Sequence, residues 1–151
     1  RLSELRDAVE SAGVRLSVVR ASDAALGALR NALSASDPER ANEDAVGAGA
    51  DFHVRLAELS GNHFFADAVA SAMTRLARTR WLEVRTPEAR RTAWEEHRTI
   101  VDQVAARDAD AAAESIHRHI VGTHERLQAA LDSDARLLRA RGLAIVGTAA
   151  H

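Results

Sequence analysis

Apolar side chains recur along this chain mostly at steps of three and four, the spacing of one face of an α-helix. Leu5, Val9, Leu16 and Val19 predict a first helix from Leu2 to Arg20, with Glu4, Arg6, Asp7 and Glu10 around that stripe. Gly13 weakens its middle by up to ~1 kcal/mol relative to alanine. Ser22 can cap a second helix bearing Leu26, Leu29 and Leu33. Ser36-Asp37-Pro38 places a cap candidate ahead of a first-turn proline and predicts a third helix running to about Leu59. Its centre, Val46 to Ala50, is unusually small, which suits the close approach of another backbone. Ser60-Gly61-Asn62 ends it with a pair that tolerates a left-handed backbone. Phe64, Phe65, Val69, Met73, Leu76, Arg80 and Leu82 mark a fourth helix, ending before Thr86-Pro87. A fifth starts near Pro87 and carries Trp94, His97, Ile100, Val101 and Val104. After a corner at Arg107 to Asp110, a sixth runs to about Leu138, with Ile116, His119, Ile120, Leu127 and Leu131 inward. Arg139 to His151 forms a tail without a firm pattern. Six helices joined by short corners predict an all-α antiparallel bundle.

Composition narrows the picture. A chain of 151 residues suits one domain and buries roughly two-thirds of its unfolded surface, enough for a core without staples. It has no cysteine, so disulfides and thiolate metal sites are excluded and any metal must take nitrogen and oxygen ligands. All 20 cationic side chains are arginine, against 22 acidic ones, for a net charge of −2; a nucleic-acid footprint would want a basic excess on one face. No stretch reaches the apolar length of a membrane span, and no secretory signal is visible, so the cytoplasm is expected. The chain opens inside a helical pattern without a methionine, from which a preceding segment is expected.

The candidate chemistry lies in His53, His97 and His119, one on each of three helices and each with apolar neighbours at helical spacing. A buried imidazole without a partner is costly. Either the three converge inside the bundle, where imidazole is the commonest metal ligand, or each satisfies a backbone or side-chain partner separately. Glu95-Glu96 offers an acceptor to an imidazole N–H, or is a solvated acidic pair. Asn62 reads as a helix-end residue; His63, His117 and His124 read as surface positions, with His124 near enough to touch a pocket edge. Catalysis has little support: there is no glycine-rich phosphate loop, no HExxH, and no base partner for Ser71 or Ser115.

Several segments resemble a known family. Asp51-Phe52-His53 followed by Leu56-Ala57-Glu58-Leu59-Ser60-Gly61-Asn62 is similar to an FH…LA…SGN segment. Glu96-His97-Arg98-Thr99-Ile100, then Ala105 to Ala112, then His119-Ile120, is similar to EH..I..A...GDA..A.....HL. Leu5 to Glu10 fits an opening R..LE helix. Together, over about Leu5 to Leu131, they resemble the FCD domain, the C-terminal effector-binding domain of FadR-subfamily GntR transcription regulators. That resemblance implies a divalent metal held by an aspartate and three histidines, the latter being His53, His97 and His119. The aspartate position, four before His53, holds Gly49 in this chain, and Asp51 falls on the other side of the helix. A three-histidine site for zinc, nickel or manganese is the first outcome; histidines that bind a ligand without metal are the second.

What the resemblance implies for function is a ligand-sensing and dimerisation domain, 1–138, followed by the tail 139–151 and preceded by a winged helix-turn-helix domain upstream of this chain. The ligand would be a small carboxylate-type metabolite, met by the metal and by Arg6 and Arg80, since a guanidinium suits a carboxylate bidentately. The plainer alternatives are a surface Arg6 paired with Glu10, and an Arg80 that reaches out past Trp81. The partners implied are a second copy of the chain, and DNA only through the missing domain. Two other classes stay open: a small metal-dependent enzyme on a helical bundle, and a structural helical module with no metal and no ligand.

Overall fold

The computed structural model describes residues 1–39 and 45–140, with the backbone alone described at 45–49 and 137–140. Six helices follow one another: α1 (Leu2–Arg20), α2 (Asp23–Ala35), α3 (Ala45–Glu58), α4 (His63–Glu83), α5 (Pro87–Ala105) and α6 (Ala109–Ala140). The corners are written in capping chemistry. Ser22, Asn62 and Thr86 each accept a backbone N–H at the start of α2, α4 and α5, and Pro87 opens α5 where its missing N–H costs nothing. Gly61 adopts φ 65°, the left-handed turn between α3 and α4. Arg107, also left-handed at φ 62°, sends its guanidinium across to the carbonyls of Val18 and Ala21, which are orphaned at the end of α1.

The main core gathers Val14, Val18, Leu26, Leu29, Leu33, Phe52, Leu56, Ile100, Val101, Val104, Ile116 and Ile120 from five of the helices. Helix α1 packs most extensively on α6, α3 on α4, and α5 on α6. Helix α2 leans on α5, where Trp94 Nε1 donates to the carbonyl of Leu33 at 2.9 Å. No described helix is long and apolar enough to cross a membrane.

The structure differs from the sequence pattern in three places. Pro38 lies in a turn and does not open a helix; α3 is helical from Ala45, and residues 40–44 lie outside the described ones. The side chains of the small run at 46–49 and the tail beyond residue 140 also lie outside them. On α1 the stripe is rotated: Leu5 is 49% and Val19 79% exposed, while Arg6, Glu10, Gly13, Val14, Ser17 and Val18 face inward. Leu131 of α6 is exposed. The rotation on α1 has a physical cause, because its polar inner residues find partners at the bundle centre.

A candidate metal centre of three histidines

Helices α3, α5 and α6 deliver His53, His97 and His119 to one point, all three buried. One ligating nitrogen from each lies within 4.8 Å of the others. His97 Nε2 is 3.2 Å from His119 Nε2, and His119 Nε2 is 3.2 Å from His53 Nε2. The helical registers do this: each histidine lies on the stripe that buries Phe52 and Leu56, Ile100 and Val101, or Ile116 and Ile120. Phe52 stacks on the His97 ring at 4.0 Å between centroids, 16° from parallel, and so fixes its plane.

Two carboxylates set the proton positions. Glu10 of α1 lies with Oε2 2.7 Å from His53 Nδ1, and Glu96 of α5 with Oε2 2.6 Å from His119 Nδ1. A carboxylate only accepts, so both Nδ1 atoms carry the proton and both Nε2 atoms carry a lone pair. Those two lone pairs face one another across 3.2 Å. A hydrogen bond there needs an extra proton, which the site resists. Burial, then Arg6, then His119 and Arg80 hold His53 well below the usual imidazole range. Burial and the neighbouring histidines do the same to His97. His119 is also lowered, because burial outweighs the opposing pull of Glu96. The result is an electron-rich gap suited to a cation that brings no proton. Nitrogens each 2.0–2.1 Å from one ion stand roughly 2.8–3.4 Å apart between octahedral and tetrahedral angles, which brackets the 3.2 Å seen for two of the three pairs. An imidazole whose other nitrogen donates to a carboxylate is the usual arrangement of a metal-bound histidine. The donor set fits a divalent metal.

Arginines surround this centre. Arg6 is buried, its Nε 2.7 Å from Glu10 Oε1 and one terminal nitrogen 3.4 Å from His53 Nε2. The pairing of Arg6 with Glu10 expected from their spacing is present, but it is an interior pair and not a surface one. Arg80 is buried too and does not reach out past Trp81. One of its terminal nitrogens donates to Met73 Sδ at 2.9 Å, a weak acceptor, and its Nε has no partner. Burial lowers its pKa, opposed by Glu83. Arg80 is thus a buried cation with one sealed nitrogen unpaired. Arg126 reaches Glu96 at 3.1 Å; burial alone would raise the Glu96 carboxyl, yet His119 and Arg126 together hold it below its ordinary value.

Sequence reasoning found the three histidines and placed Glu96 among the candidate acceptors. It missed Glu10, which the apolar stripe of α1 assigned to the periphery. The signal was the i,i+4 pair Arg6–Glu10 itself, read as a surface pair. Asp51 is exposed and away from the triad, as its spacing required. Asn62 caps α4, His63 and His124 are exposed, and His117 is an exposed partner of Asp7, which raises its pKa.

A family model described as the FCD domain matches residues 1–122. The chain belongs to the FCD family. The FCD chain is 32% identical over 121 residues to the Nta operon transcriptional regulator of Aminobacter aminovorans, covering 79% of this chain and 56% of that protein. It thus spans little more than half of that relative's length. Among solved structures, E. coli McbR/YncC superposes with a TM-score of 0.74 at 15% identity, over 84% of this chain and 66% of that one, a likeness of fold.

Proposed function

We propose that the FCD chain is the ligand-sensing and dimerisation domain of a bacterial GntR-type transcription regulator, and that it binds a small anionic metabolite at a divalent metal held by His53, His97 and His119. The observation that supports this most is the pair of unprotonated Nε2 atoms facing each other at 3.2 Å, their tautomers set by Glu10 and Glu96. Zinc, nickel or manganese would serve; bound there, it supplies positive charge with positions left over for a carboxylate oxygen. Arg80, buried and under-satisfied, and Arg6 beside His53 supply the remaining charge for that carboxylate. The same geometry disfavours hydrolytic use of the site. Glu10 and Glu96 are both engaged on imidazole N–H groups, which leaves neither as a base for a metal-bound water.

Regulation would follow from differential affinity. A ligand that prefers one arrangement of α1, α4 and α6 shifts the population towards it, and a second copy of the chain passes the shift to DNA-binding domains outside this segment. The test is elemental analysis of purified protein incubated with zinc, nickel or manganese, in wild type and His97→Ala. One ion per chain in wild type and little in the variant is the expected result. Wild type without a stoichiometric ion would overturn the metal reading.

A further inference from the structure

A cavity of 160 Å³ opens between α1, α4 and α6, lined among others by Arg6, Leu76, Glu83, Ile120, Thr123 and Leu127. Arg6 and Ile120 join it to the histidine centre, since Arg6 touches His53 and Ile120 follows His119 in α6. A cavity of about 150 Å³ can take a molecule of benzene's size, so this one admits a small metabolite. Its apolar wall is unremarkable. Glu83 is not: it is only 6% exposed, and Arg80 and Arg6 attract it without a direct hydrogen bond or close ion pair among the described residues. Glu83 is among the residues that line the cavity.

We propose, resting on the sensor reading above, that this cavity is the second half of the ligand site and that Glu83 reads an amine, so the ligand is an amino-carboxylate and not a plain carboxylate. A buried carboxylate without a partner is expensive unless something donates to it. Positive charge is supplied by Arg6, which lines the same cavity. One zwitterion answers both, its carboxylate on the arginine side and its ammonium on Glu83. A dicarboxylate of similar size would set a second anion against Glu83 and meet repulsion. Thr123 is no substitute reader, because its hydroxyl donates to the carbonyl of Ile120 at 2.9 Å.

The test is calorimetric titration of the zinc-loaded chain with ligands of one skeleton: norvaline, 5-aminopentanoate, 5-hydroxypentanoate and pentanoate. At least one amine should bind roughly tenfold or more tighter than pentanoate, the scale of a charge-assisted hydrogen bond. Glu83→Gln should shrink that advantage to about twofold. Pentanoate or the hydroxy acid binding as tightly as both amines in wild type would overturn the amine assignment and leave the sensor reading standing. So would an amine advantage that survives in Glu83→Gln. Absence of heat with all four, in protein carrying its ion, would overturn both. The wild-type comparison needs no variant, so it decides even where Glu83→Gln does not fold.

Discussion

At the scale of single residues, the site depends on groups that touch no ligand. Glu10 and Glu96 orient His53 and His119 and fix which nitrogen faces inward. Loss of such an outer carboxylate typically weakens metal binding by about 10–100-fold. Glu10→Gln and Glu96→Gln should therefore each lower zinc affinity by that order in competition with a chromophoric chelator, while the far-ultraviolet circular dichroism stays helical. Unchanged affinity in both would show that the carboxylates do not position the rings. Gly49 carries the complementary prediction. It stands one turn before His53, so Gly49→Asp adds an anionic oxygen within reach of the ion and should tighten binding in the same assay. Protonation acts at this scale too. All three histidines titrate below their ordinary value in the fold, so the unfolded chain binds more protons. The sign follows: this contribution is intact above about pH 6.5 and is lost progressively as pH falls below it. The Tm of chelator-treated protein should drop between pH 7.5 and 5.5, and a flat Tm across that window would contradict the neutral, buried triad.

At the scale of helices, capping and turn chemistry make the boundaries steep. Gly61 holds φ 65° between α3 and α4, and a side chain there costs about 1–2 kcal/mol. Gly61→Ala should lower unfolding free energy by that much in urea titration with an unchanged m-value. Ile116 of α6 is fully buried, and Ile116→Ala should cost about 2–5 kcal/mol by the same measurement. These elements were legible in the sequence for a simple reason. Ser22, Asn62, Thr86-Pro87 and the apolar steps of α5 and α6 act locally, so their meaning does not depend on what is packed against them. Pro38 was misread because a cap followed by proline suits a turn as well as a helix start. Helix α1 was misread because two stripes compete on it. Leu5 and Val19 win on hydrophobicity, but Arg6, Glu10 and Ser17 win in the fold. Arg6 and Glu10 satisfy each other and His53, and the Ser17 hydroxyl lies 3.0 Å from the carbonyls of Gly13 and Leu56. The partners on α3 sit 39 to 47 residues away and leave no periodic trace. The triad was visible because histidine on an apolar stripe is itself unusual, and because the segments around all three resemble the FCD pattern.

At the scale of the whole molecule, the histidines come from separate stretches of chain, His53 and His119 being 66 residues apart. An ion shared among them joins α3, α5 and α6, and binding to the folded state alone raises stability by about 2.7 kcal/mol when free metal is 100 times its Kd. Zinc should therefore raise Tm in wild type and not in His97→Ala, as read by scanning calorimetry. Sedimentation of the chain tests the proposed pairing of two copies, with a dimer expected at micromolar concentration. The depth of the triad carries one more consequence, and it concerns time. With all three rings buried, a chelator too large for the 160 Å³ cavity beside them cannot reach a held ion until the helices part. Stripping should then run at a pace set by those openings, the same whether the chelator is dilute or concentrated. A domain built this way would keep the metal it acquired while folding, and respond to passing metabolites without answering to momentary swings in the surrounding pool of free ions.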